Sequence, residues 1–226
     1  LFIGFIAFAQ SPWTQKKNFF YTQFSFSTIP NYDTLFGDSD SSVEGKLSDN
    51  TFQLYGEYGL TNKTTLVVYI PYKLISNKGL ANRCLIGSCP EYSNEKRALG
   101  NIEIGIRHNF YKKSWVLSFQ SSIEINSGSY DALSGISSGY NALTFTPLFL
   151  IGKSTKKDYM QTFIGTNIRT NNYSSNFKIG GEYGRKFGKN FWFIGFLDVV
   201  KSFKNGSVVL PSLNSSTGLF VNNQEF

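Results

Sequence analysis

Trp115-Val-Leu-Ser-Phe-Gln-Ser-Ser-Ile-Glu-Ile-Asn126 alternates between apolar and polar residues. Trp115, Leu117, Phe119, Ile123 and Ile125 share one side; Ser118, Gln120, Ser122, Glu124 and Asn126 share the other. Side chains of a β-strand point to opposite faces in turn, so a period of two predicts a strand with one greasy and one wet face. The stretch is as long as the roughly ten residues a tilted strand needs to cross a bilayer. An apolar face toward lipid and a polar face toward a lumen describe a membrane-spanning β-barrel.

The pattern recurs along the chain. Phe52, Leu54, Gly56, Tyr58 and Leu60 oppose Gln53, Tyr55, Glu57 and Gly59. Strands are predicted over 18–28, 51–60, 64–75, 101–110, 114–126, 142–154, 159–171, 177–187 and 191–203, with a further start at Thr217. Short lysine-bearing turns join them in pairs, at Thr61-Asn62-Lys63, Lys112-Lys113, Lys156-Lys157 and Gly188-Lys189-Asn190. Longer loops separate the pairs: an acidic one over 30–50, one carrying the cysteines up to about residue 98, a Gly/Ser-rich one over 127–139 and one over 204–216. Outer-membrane barrels have short periplasmic turns and long extracellular loops. The lysine turns are therefore expected at the periplasmic rim, and the cysteine and acidic loops outside. Tyr55-Gly-Glu-Tyr-Gly59 also echoes Gly180-Gly-Glu-Tyr-Gly184, each just before a short turn.

The ends carry their own expectations. Leu1-Phe-Ile-Gly-Phe-Ile-Ala-Phe-Ala9 reads as the tail of a signal peptide with an Ala7-Phe8-Ala9 cleavage box, and the alternative is an apolar first strand. Ser11-Pro12 favours cleavage, because proline there would end a strand. Residues 10–226 would then form one barrel domain. At the other end Asn222 and Gln224 fall where a closing strand ending in Phe226 should be apolar. That predicts truncation, and a full barrel of about twelve strands.

Composition agrees with an all-β membrane chain. Hydrophobic residues make up 41% of the 226, yet no apolar run approaches the roughly 20 residues of a membrane helix. The 22 Phe and 13 Tyr suit aromatic girdles at two membrane interfaces. The net charge is +7, but much of it is spread over turns at one rim rather than gathered in a groove. That argues against nucleic acid and for turns beside anionic headgroups.

The predicted inward face carries Glu57, Glu103, Arg107, Glu124, Arg169, Lys178, Glu182 and Lys186. Lys or Arg facing mid-membrane lipid costs about 2–4 kcal/mol, so these charges are placed in a lumen. Two readings stand: a selectivity lining for a polar solute, or a filled interior of paired charges. Barrels of about eight strands are filled and open pores need about sixteen, so strand number does not decide between them.

Catalysis is not expected. The one histidine, His108, falls in phase with Ile102, Ile104, Ile106 and Phe110 on the outward face near a membrane interface, which reads as a girdle or packing residue rather than a base. Cys84 and Cys89 sit six residues apart inclusive and read as a disulfide pinning an exported loop, with free thiols as the alternative. Two thiols alone make a poor metal site. Asp38-Ser-Asp40-Ser-Ser resembles part of a calcium loop, but Glu44 is too near for the EF-hand spacing, so a solvated acidic loop is expected. No cofactor is predicted.

Ser11-Pro-Trp13-Thr-Gln-Lys-Lys17 before an aromatic strand resembles outer-membrane barrels of Bacteroidota, as do Leu54-Tyr-Gly-Glu-Tyr-Gly-Leu-Thr61 and Val68-Tyr-Ile-Pro-Tyr72. These barrels are of the XagA-like type and the type labelled transporters of a phenol-degradation pathway. Where such proteins often have Gly after the lysine, this chain has Asn18. The resemblance implies a barrel and, weakly, transport; it carries no catalytic residues. The expected protein is an outer-membrane barrel in contact with lipid, acting as a small channel or transporter for a small polar or aromatic solute. The alternative is a structural barrel whose surface loops bind a protein partner without transport.

Overall fold

A computed structural model describes residues 10–35, 41–78, 95–130, 136–188, 191–204 and 206–207. Among the described residues there are ten strands: β1 Phe20–Leu35, β2 Ser41–Thr61, β3 Thr64–Lys78, β4 Glu95–Leu99, β5 Ile102–Lys112, β6 Val116–Ile125, β7 Thr144–Ser154, β8 Asp158–Arg169, β9 Asn176–Phe187 and β10 Phe191–Ser202. All pair antiparallel in a single sheet, in the order β1-β2-β3-β5-β6-β7-β8-β9-β10. The sheet curls into a half-barrel, the wall of a transmembrane β-barrel, and no helix occurs among the described residues.

The alternation in sequence becomes the two faces of this wall. On β6 Ser118, Gln120 and Ser122 are buried on the concave side, while Phe119 and Ile123 are 44% and 49% exposed on the convex side. Register carries the apolar side around the barrel. Phe119 pairs with Phe149, Phe149 with Ile164, Ile164 with Ile179 and Ile179 with Val199, so one convex row crosses five strands. Nothing among the described residues packs over this row. An apolar surface of that extent is stable where lipid covers it.

Two departures from the sequence reading concern the long-loop end. The acidic stretch 30–50 is largely strand, because β1 runs on to Leu35 and β2 begins at Ser41. Above the apolar band the backbone ladder no longer needs an apolar convex face, so strand continues without the alternation that reveals it. Register shifts between Ile29 and Tyr32, with Asn31 at φ 51°, mark the irregularity where proline interrupts β1. The short strand β4 was not foreseen either. It pairs with β3 over Ser76 to Tyr72, above the Thr64–Tyr69 stretch that pairs with β5. Gly100 N–H donates to Pro71 C=O at 2.8 Å, so β4 and β5 act as one strand kinked at Gly100-Asn101.

The cysteines Cys84 and Cys89, the acidic residues Asp38 and Asp40, Lys189 and the strand start at Thr217 lie outside the described residues.

Candidate functional site

Odd-numbered wall positions on β2 and β5 bring the first charges together. Glu57 and Arg107 both point inward and meet, Arg107 Nη1 donating to Glu57 Oε1 at 2.7 Å. The pair is almost fully buried, with side-chain exposures of 1% for Arg107 and 7% for Glu57. Arg107 also donates from Nε to Gln120 Oε1 at 3.0 Å and from Nη2 toward the Tyr55 hydroxyl at 3.3 Å. Tyr55 in turn donates to Glu57. A charge is tolerated at such a site only when it is paired and hydrogen-bonded, and here each member has the other and further polar partners.

A segment before β1 completes this network. Residues 10–17 leave the sheet and cross its concave face at the short-turn end. The carbonyl of Pro12 accepts from the Ser118 hydroxyl, and the carbonyl of Trp13 accepts from Arg107 Nη1 at 3.0 Å. Gln15 N–H donates to Thr65 Oγ1 at 2.8 Å, and Gln15 Nε2 donates to Glu57 Oε2 at 2.7 Å. Lys17 N–H donates to Asn62 Oδ1 at 3.1 Å, in the first short turn. Small residues in the wall beneath make room for it. A Cβ on Gly152 would lie 2.6 Å from Pro12 Cγ and 3.0 Å from the Trp13 ring, and one on Gly59 would collide with the carbonyl of Lys16. At Asn18 the backbone turns into β1 with φ 65°, a region that glycine and asparagine enter most readily.

Above this segment lies a central cavity of about 610 Å³. Strands from both ends of the sheet line it: Tyr21, Gln23 and Ser25 of β1, and Asp198 and Val200 of β10. Toward the long loops an outer chamber of about 330 Å³ follows, and Gln53, Tyr69 and Glu103 border both. Of the residues singled out by sequence, Glu57, Glu103, Arg107, Lys178 and Glu182 border the central cavity. Glu124 borders the outer one. Arg169 borders neither; its Nη1 donates to the Ser174 carbonyl at 2.9 Å and its guanidinium lies 4.2 Å from the Tyr140 ring centre.

The pairs differ in how far they are neutralised. Lys73 Nζ meets Asp49 Oδ2 at 2.7 Å. Glu182 accepts from the Tyr159 hydroxyl. Glu103 and Glu124 stand directly opposite each other across the β5–β6 ladder, like charges on one face. Glu124 accepts from Asn101 Nδ2 at 2.8 Å. Among the described residues lining the two chambers, carboxylates number six (Asp49, Glu57, Glu103, Glu124, Glu182 and Asp198) against three cations (Lys73, Arg107 and Lys178). The lumen is thus formally acidic inside a chain of net charge +7.

Several of these residues were not singled out by sequence. Asp49 sits in the stretch 30–50 that was read as loop, and Lys73 sits near the end of the strand predicted over 64–75. Asp198 is the one acid in a mostly apolar β10, and that isolation was its available signal. The inner positions of β10 also include Trp192, whose ring lies 5.8 Å from that of Tyr159, so this part of the lumen wall is aromatic. Trp13 and Gln15 had only their motif to mark them. His108 faces outward, with Nδ1 3.0 Å from Thr64 Oγ1.

No known family and no curated protein matches the chain in sequence. In structure it is similar to an outer membrane channel from Pseudomonas putida F1, with a TM-score of 0.62 at 12% identity, over 92% of this chain and 80% of that one. At that identity the likeness concerns the fold.

Proposed function

We propose that this chain forms a small channel in a bacterial outer membrane, its lumen passing a small polar or aromatic solute. The observation that carries the reading is the sidedness of the wall. The convex face is a largely apolar band, and among the described residues the concave face sets six carboxylates and three cations around two adjoining chambers. A purely structural barrel has no need of unbalanced charge inside it, whereas a conduit for ions or polar solutes uses such groups to replace lost hydration. The excess of carboxylates favours cations, and the aromatic stretch around Tyr159 and Trp192 offers a surface for a flat or amphipathic solute. The fold shared with a channel supports the same reading at the level of architecture.

Reconstitution into planar bilayers tests it. Discrete conductance steps are expected, with a reversal potential under a salt gradient that indicates cation preference. A correctly folded barrel that gives no steps under any applied voltage would favour a structural barrel with surface partners.

A further inference from the structure

We propose that residues 11–16 are an internal strap closing the short-turn mouth of the lumen, with the Arg107–Glu57 pair as its latch. The proposal deepens the channel reading and rests on it. The strap lies inside the wall, not beside it. Its partners Glu57, Thr65, Arg107 and Ser118 belong to the concave faces of β2, β3, β5 and β6, and Gly152 of β7 backs Pro12. It therefore spans half the strands of the sheet at the level where the short turns end, and Gln10, Ser11, Trp13 and Gln15 form one boundary of the central cavity.

The wall is shaped to receive it. Small residues, Gly59, Thr65, Ser118 and Gly152, are among the inner positions where it crosses, and a single added Cβ at Gly152 would strike Pro12. The partners are also buried. Arg107, Ser118 and Thr65 are at most 1% exposed, and each uses an inward donor or acceptor on strap backbone.

The contacts are of a kind that can reverse. The strap is held mainly by hydrogen bonds from polar wall groups to its main chain, and water entering the lumen can take over those groups. A segment sealed by apolar packing would have no such substitute. The attachment at the β1 end is firm, because Lys17 and Asn18 bind Asn62 and Gly59, and the left-handed Asn18 supplies a corner about which the strap can swing. Release would open the floor of the central cavity and leave Arg107 and Glu57 facing water as a charged pair.

Single-channel recording on the whole chain tests this with two kinds of variant. Trp13→Gly/Gln15→Ala removes the strap's bulk and its bond to Glu57, and a several-fold rise in conductance or in open time is expected. Pro12→Cys/Gly152→Cys, in a Cys84→Ser/Cys89→Ser background, places two thiols where Pro12 Cγ and a Gly152 Cβ are 2.6 Å apart. Oxidation should silence that variant and reduction restore it, within one folded molecule, whether or not the release variant folds. Equal, nonzero conductance with the strap released, locked or native would overturn the strap as a closure while leaving the channel reading intact. Silence of folded protein even with the strap released would overturn both.

Discussion

The guanidinium of Arg107 donates to the main-chain oxygen of Trp13 at 3.0 Å, across 94 residues of sequence. The same group binds Glu57, Gln120 and Tyr55, so one buried side chain fixes three strands of the wall and the segment that crosses them. Hydrogen bonds to an ionised group are stronger than neutral ones, and a buried charge that loses its partner is costly.

Replacing Arg107 by Met should therefore destabilise the barrel by about 3–5 kcal/mol, since Glu57 is left buried without its cation. Urea unfolding of the barrel in lipid vesicles, followed by tryptophan fluorescence, measures this. The double replacement Arg107→Met/Glu57→Leu should lose clearly less than the two single losses added together. Additive losses would mean that the pair is not coupled.

The convex and concave faces predict opposite responses to the same charge. Ile164 is 45% exposed in the middle of the apolar row, and Ile164→Arg should cost about 2–4 kcal/mol in a bilayer. Ser25, which borders the central cavity, should accept Ser25→Arg with a much smaller loss. The same unfolding assay compares the two, and equal losses would contradict the assignment of faces.

Selectivity should follow the unbalanced carboxylates. Glu103→Gln and Glu124→Gln together should shift the reversal potential under a potassium chloride gradient toward anions. Arg169→Gln should leave it unchanged, because Arg169 borders neither chamber. The shift should shrink in molar salt, where screening reaches only about 3 Å.

Asn18 sits at φ 65°, so Asn18→Gly should be tolerated and Asn18→Val should cost about 1–2 kcal/mol through left-handed strain. A valine variant as stable as the native chain would show that the corner relaxes freely.

What sequence could reveal here follows from what lipid enforces. Within the bilayer every second residue must be apolar, and the strands from β5 to β10 were legible to within a few residues for that reason. Beyond the bilayer the rule lapses, and the upper halves of β1 and β2 and the short β4 went unseen. The lumen residues are polar by exclusion from lipid, so Glu57, Arg107 and Glu182 could be named from parity alone. Their partners could not, because pairing across the barrel depends on register and on which strands neighbour each other. Arg169 shows the limit: its parity is inward, but it lies at the strand end, where the Ser174 carbonyl and the Tyr140 ring take it. The 11–16 segment has no period to read, since its conformation is dictated by the wall that binds it. Asn18 follows the lysine pair at a positive φ, a region that asparagine and glycine enter most readily, and nothing in the linear pattern marks that corner.

Single-channel recording of the reconstituted protein in planar bilayers addresses the central claim most directly. A lumen that serves as a conduit predicts discrete steps with cation preference, and a preference that falls when Glu103 and Glu124 are neutralised. A folded barrel that stays electrically silent, with the strap bound and with the strap released, would contradict it.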